Sequence, residues 1–126
     1  METSPTRALG AYGEELACRY LGDSGLTILD RNWRCARGEI DIVARDAAAL
    51  VVCEVKTRST ERFGAPFEAV TRQKLARLRR LAMLWLDARP RAERRQLRGC
   101  DIRIDVISIL RPRGGTAQIT HLRGVQ

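Results

Sequence analysis

Two carboxylates and an ammonium interrupt runs that otherwise belong in a protein core. Asp41 lies in Gly38-Glu39-Ile40-Asp41-Ile42-Val43-Ala44, and thirteen residues later Glu54 and Lys56 lie in Leu50-Val51-Val52-Cys53-Glu54-Val55-Lys56. The neighbours are apolar and β-branched, so both segments read as strands, where unpaired charge is costly to bury. Side chains two apart share a face of a strand, which projects Glu54 and Lys56 together about 6.6 Å apart along the backbone and turns Val55 to the opposite layer. If the two strands pair, Asp41 comes beside Glu54, and two carboxylates in one place repel unless a cation lies between them. An all-oxygen site of this kind suits Mg²⁺ or Mn²⁺. Hydrolysis of a phosphodiester asks for such a metal, an activated water and a cation to orient it. Asp41 and Glu54 are the candidate ligands, with the backbone carbonyl of Val55 a possible third, and Lys56 is the candidate for positioning or deprotonating the water. The competing reading is structural: a Glu54–Lys56 salt bridge at a sheet edge, with Asp41 paired to Arg34, Arg45 or Arg58.

The elements that must position these residues follow from periodicity. Leu9, Tyr12, Leu16, Ala17, Tyr20 and Leu21 recur at helical spacing and predict a helix from about Thr6 to Leu21, closed by Gly22 or Gly25. Leu26 to Arg34 is rich in β-formers, Cys35 to Gly38 makes a turn, and Glu39 to Arg45 and Leu50 to Thr57 are the next two strands. Asp46 to Ala49 is short enough only for a hairpin-like link between antiparallel neighbours. A loop from Arg58 to Pro66 precedes a long amphipathic helix from Phe67 to about Ala88, which Pro90 stops. A basic loop, Arg91 to Gly99, leads to a strand from Ile102 to Leu110, and a short strand from Gln118 to Leu122 pairs at an edge. The order predicts an α/β sandwich, a mixed sheet of four to five strands covered by helices.

The 126 residues amount to one domain. The N-terminus lacks the apolar stretch of a signal peptide and no segment is long enough to span a membrane, which makes the cytoplasm the expected compartment and excludes a membrane partner. Cys18, Cys35, Cys53 and Cys100 are irregularly spaced, with His121 the one available imidazole, so a zinc site is not expected and the thiols are expected reduced. His121 reads as incidental, and a lone histidine leaves little room for serine-hydrolase chemistry.

Charge is placed unevenly. Residues 72–98 hold ten Lys/Arg against two Asp/Glu, a local +8 that equals the formal net charge of the whole chain. A polyanion is the natural partner for such a segment. Lys74, Arg77 and Arg80 follow at intervals of three on the long helix, Arg72 and Arg79 widen the patch, and Arg34 and Arg58 lie just past strand ends; these are the candidate nucleic-acid contacts. Trp85 falls on the apolar stripe and reads as core, Trp33 is open between core and base stacking, and 5% aromatic content disfavours a single-strand binder built on stacking.

The residues Gly13-Glu14, Ala17, Tyr20-Leu21, Gly25, Ile28-Leu29, Arg31-Asn32-Trp33-Arg34, Gly38 to Ala44, Glu54-Val55-Lys56-Thr57-Arg58, Phe63-Gly64, Pro66 and Glu68-Ala69-Val70 resemble the YraN family of bacterial proteins. That family is similar to Holliday-junction resolvases and to the restriction-endonuclease-like, or PD-(D/E)xK, nuclease superfamily. The resemblance extends over roughly residues 6–110. It implies that Asp41 stands at the superfamily's first acidic position, preceded by Ile40 instead of proline, and that Glu54 and Lys56 form its Glu-x-Lys motif. It further implies a metal ligand on the first helix, with Glu14 the better match and Glu15 the alternative, and a possible homodimer. The resulting expectation is a Mg²⁺-dependent endonuclease acting on branched or otherwise structured DNA, with a non-catalytic nucleic-acid-binding module of the same fold as its rival.

Overall fold

The computed structural model describes residues 5–59, 70–112 and 114–126. Its elements are helix α1 (Pro5–Asp23), strands β1 (Thr27–Cys35), β2 (Gly38–Asp46) and β3 (Ala49–Arg58), helices α2 (Arg72–Asp87) and α3 (Arg91–Gln96), and strands β4 (Asp101–Leu110) and β5 (Gln118–Leu122). The strands form one mixed sheet in the order β1-β2-β3-β4-β5. Tight links make β1, β2 and β3 an antiparallel meander. β3 and β4 are parallel, as they must be once α2 carries the chain back to the starting end of the sheet. β5 then turns back antiparallel along β4. This is the expected α/β architecture, a five-stranded mixed sheet flanked by helices.

Each face of the sheet has its own core. Ile40, Val43, Leu50, Val52 and Ile104 pack under Leu75, Leu78, Leu81, Ala82 and Trp85 of α2. Ile42, Ala44, Val51, Cys53, Ile107 and Ile109 pack under Ala17 and Leu21 of α1. Trp33, undecided from sequence, packs half-buried against the α2 side, and Trp85 is buried with its indole N–H donating to Asp30 Oδ2 over 2.8 Å. All four cysteines are free thiols. No helix among the described residues is long and apolar enough to cross a membrane.

Of the two glycines that could close α1, Gly25 is the one in the left-handed region, at φ 97°, while the Leu26 N–H reaches back to the Leu21 carbonyl. α2 begins at Arg72 and not at Phe67. Thr71 is extended, and its side chain accepts from the Lys74 N–H at 3.1 Å, a cap that sets the first turn. Phe67 to Ala69, and most of the loop predicted before them, lie outside the described residues. Residues 91–96, expected as loop, form α3. Pro90 occupies the residue before its first turn, Arg94 N–H bonds the Pro90 carbonyl, and buried Leu97 anchors the far end in the α2-side core.

Candidate active site

β2 and β3 pair from Asp46–Ala49 to Ile42–Cys53, and there the ladder stops. Beyond that point Gly38, Glu39 and Ile40 pair with β1, while Glu54 to Arg58 pair with β4. The sheet therefore forks, and the next register position on each branch is Asp41 and Glu54. A distortion in β1 and β2 opens the fork. Ile40 faces the α2-side core and Ile42 the α1-side core, so alternation breaks at Asp41. Across from it Asn32 takes φ 50°, a conformation that asparagine tolerates better than most residues. On either side the pairing is regular, Arg31 with Ile42 and Trp33 with Ile40.

Asp41 fills the gap that the departing β2 backbone leaves. Its Oδ2 accepts the Val55 N–H at 2.8 Å, a side chain taking the place of a ladder partner. Burial pushes the Asp41 carboxyl up to about 6; the Val55 hydrogen bond pulls it part of the way back, and the charges of Glu14, Glu54 and Glu39 push it further. Glu54, half-buried on the α2 side, meets Lys74 and not Lys56: Lys74 Nζ lies 2.6 Å from Glu54 Oε1. The other oxygen, Oε2, is buried and has no hydrogen-bond partner among the described residues. Lys56 is held below the ordinary lysine value, first by burial and then by the positive charge of Lys74, against the opposing pull of Glu54.

Glu14 is brought toward this place by α1. Gly13 allows the approach, because a Cβ there would overlap the Thr57 side chain on β3. Glu14 is half-buried, and its charge is felt at Asp41. Glu15 is exposed and engaged elsewhere, with Arg31 at 3.0 Å and Arg19 at 3.6 Å. Among the described residues no three His, Cys, Asp or Glu side chains gather as a metal-holding group, so Glu14 does not close with Asp41 and Glu54 into a three-carboxylate cage. Two carboxylates with a buried orphan oxygen still suit Mg²⁺, which keeps several waters and is commonly held by one or two protein carboxylates.

The basic candidates divide. Lys74 is in the site, and with Thr71, Gln73 and Arg77 it lines an open hollow of about 270 Å³ at the start of α2. Arg72 and Arg80 are exposed on the same helix, whereas Arg79 reaches the Ile102 carbonyl at 3.4 Å. Arg34 pairs with Glu39 at 3.1 Å, and Arg45 bonds the Ala47 carbonyl, so neither partners Asp41. Arg58, at the end of β3, lies close enough to lower the affinity of Lys56 for its proton.

Sequence reasoning missed a second polar cluster. Asp105, fully buried in β4, accepts two hydrogen bonds from Arg103, one from the Gly124 N–H at 3.0 Å and one at 2.8 Å in its contact with His121 Nε2. Arg103 also holds Asp46 at 2.9 Å, and His121 Nδ1 meets the Tyr20 hydroxyl at 3.2 Å. His121 is thus buried structure and not incidental. Burial alone would raise the Asp105 carboxyl, but the hydrogen bonds from Arg103, Gly124 and His121 outweigh it and hold Asp105 below the usual value.

Comparison with known proteins adds the family. The model described as "Uncharacterised protein family UPF0102" matches residues 13–109, which include every residue of the fork. The chain belongs to the UPF0102 family. This is the family that the resemblance to YraN proteins pointed to. A UPF0102 protein of Nocardioides sp. is 56% identical over 94% of this chain and 91% of its own length, and one of Beutenbergia cavernae is 57% identical over 94% and 95%. A third, from Frankia alni, is 52% identical over 93% and 92%.

Proposed function

We propose that this UPF0102 protein is a metal-dependent endonuclease of the restriction-endonuclease-like, PD-(D/E)xK type that hydrolyses phosphodiester bonds in branched or otherwise structured DNA. The observation that carries the reading is the fork: strand pairing ends where two carboxylates stand, one raised toward neutrality by burial and the other with a buried oxygen that has no partner among the described residues. A structural ion pair would satisfy both oxygens of Glu54; a ligand site leaves one for its ligand. Asp41 and Glu54 would hold Mg²⁺ or Mn²⁺, with Glu14 and the Val55 carbonyl as further donors. The metal would supply charge to offset the negative phosphoryl oxygens and would acidify water. Lys56, its proton affinity lowered at the mouth of the fork, accepts a proton from the attacking water or holds that water by hydrogen bonding. Lys74 and Arg77 line a hollow beside Glu54 and offer cations to the phosphates flanking the cut.

A cleavage panel of four-way junctions, flaps, single strands and linear duplex, with Mg²⁺ and with Mn²⁺, tests the reading. Cutting of a structured substrate that disappears in Asp41→Ala and Glu54→Ala, while salt-sensitive binding survives, supports it. The Lys74–Glu54 contact and the absence of a three-carboxylate group among the described residues favour the second reading, a nucleic-acid-binding module without hydrolysis. A wild type that binds DNA but cuts no member of the panel with either metal establishes that alternative.

A further inference from the structure

A second basic surface lies away from the fork. Arg91, Arg94, Arg95 and Arg98, on and just after α3, line an open hollow of about 340 Å³. None of the four forms an ion pair among the described residues, although other exposed arginines of the fold do so, Arg19 with Glu15 and Arg34 with Glu39. The acidic residue of α3, Glu93, does not line the hollow. Guanidinium groups crowded without counter-charge repel one another, and they make a site for an anion with several oxygens that can each take a planar fork of N–H donors. Among the described residues the lining offers no apolar or aromatic anchor of the kind a protein interface centres on, which favours a phosphate chain over an acidic protein surface.

The position adds a length scale. α3 leads into Asp101, which pairs with Ala49 at the start of β3, whereas the fork begins at Glu54 and opens toward the far end of that strand. Between the two, α2 rises about 21 Å from Lys74 to Ala88 at about 1.5 Å per residue. Along one strand of a duplex that is about six steps at roughly 3.4 Å each.

We propose that the α3 hollow is a second phosphate-backbone site that holds an arm of duplex nucleic acid about six base pairs or more from the fork. It rests on the nucleic-acid part of the functional reading and not on hydrolysis. Each arginine that neutralises a phosphate adds about 0.9 to the slope of log K against log salt. The experiment measures binding of the full chain to a 24-base-pair duplex and to a six-base-pair duplex, by fluorescence anisotropy without divalent metal over a range of salt. Wild type is compared with Arg94→Gln/Arg95→Gln/Arg98→Gln and with a charge-matched control, Arg19→Gln/Arg37→Gln/Arg123→Gln.

The expected result is a tenfold or greater loss for the long duplex in the α3 variant, a slope lower by about 2 to 3, a much smaller loss for the short duplex, and little change in the control. Equal losses in both triple variants, unchanged binding in the α3 variant, no duplex binding by the wild type, or competition by polyglutamate as effective as by duplex of equal charge would each overturn it. Should the α3 triple variant melt early, Arg91→Gln/Arg95→Gln is read in its place, with a slope lower by about 1 to 2. A wild type that binds through the hollow but never cuts leaves this inference standing and removes the hydrolytic reading. Cutting by a wild type whose α3 variant binds unchanged does the reverse.

Discussion

Asp41 should make the metal-free protein less stable, and its removal should show it. In the fold its carboxyl titrates at about 6 in place of 3.8, mainly because burial disfavours the charged form. Both folded and unfolded chains carry the proton below about pH 4, so the residue is then neutral in its effect. As pH rises from about 4 to 6 the unfolded chain releases the proton first, stability falls, and above about pH 6 the full penalty stands. At about 1.36 kcal/mol per unit the upper limit is about 3 kcal/mol, and solvent reaching the half-buried group reduces it to about 1–2 kcal/mol. Asp41→Asn keeps an oxygen to accept the Val55 N–H but has no charge to bury. For a chain of this size it should raise the melting temperature by about 3–8 °C at pH 7.5 in EDTA. The gain should shrink toward pH 5, and added Mg²⁺ should stabilise the wild type more than the variant, because a ligand that binds the folded form raises its stability. Calorimetry over pH 5–8 reads all three effects. An Asp41→Asn protein that melts at or below the wild type at pH 7.5, with no dependence of the gap on pH, would refute the reasoning.

Asp105→Asn should cost about 1–3 kcal/mol in urea denaturation, since it puts a neutral amide at the buried position that accepts from Arg103, Gly124 and His121, while Arg103 keeps Asp46. Because the Asp105 carboxyl is held below its ordinary value, its contribution is present above about pH 4 and is lost as pH falls further, which an acid-unfolding titration of wild type and variant would show. Gly13→Ala should force α1 away from Thr57 and destabilise by about 1–3 kcal/mol, with a loss of metal-dependent cleavage larger than the loss of stability explains. In the two-residue turn of the β2–β3 hairpin Ala47 has φ 51°, so Ala47→Gly should stabilise by about 1 kcal/mol, measured by thermal melting.

The strands and their order were legible because β-branched runs alternate with turn formers, and the long helix because Leu75, Leu78, Ala82 and Trp85 repeat at helical spacing. Asp41 and Glu54 stood out as charges inside apolar runs. Their surroundings were not legible, since the fork depends on where pairing stops and on a left-handed Asn32, neither of which local spacing encodes. Lys56 was the nearer partner for Glu54 in sequence, yet a helix laid over the same face brings Lys74 into contact instead. Asp105 carried the signal used for Asp41, a carboxylate inside Ile102 to Leu110, and could have been found by it. Its partners His121 and Gly124 come from a strand whose register only the folded sheet defines. α3 was hidden because arginine-rich stretches read as solvated loop, while one buried leucine at its end decides otherwise.

β5 also has a protective consequence. Its five residues cover the outer rim of β4, whose stretch from Ile104 to Ile109 is almost wholly inaccessible, and Val125 N–H fastens the tail to the Ile104 carbonyl. Stripped of that sheath, Ile104 to Leu110 would present a bare row of amide donors and carbonyls on a greasy ribbon, an invitation for another chain to add itself as a strand. Versions shortened from the C-terminus should therefore clump in solution, and a purification tag is better carried at the other end.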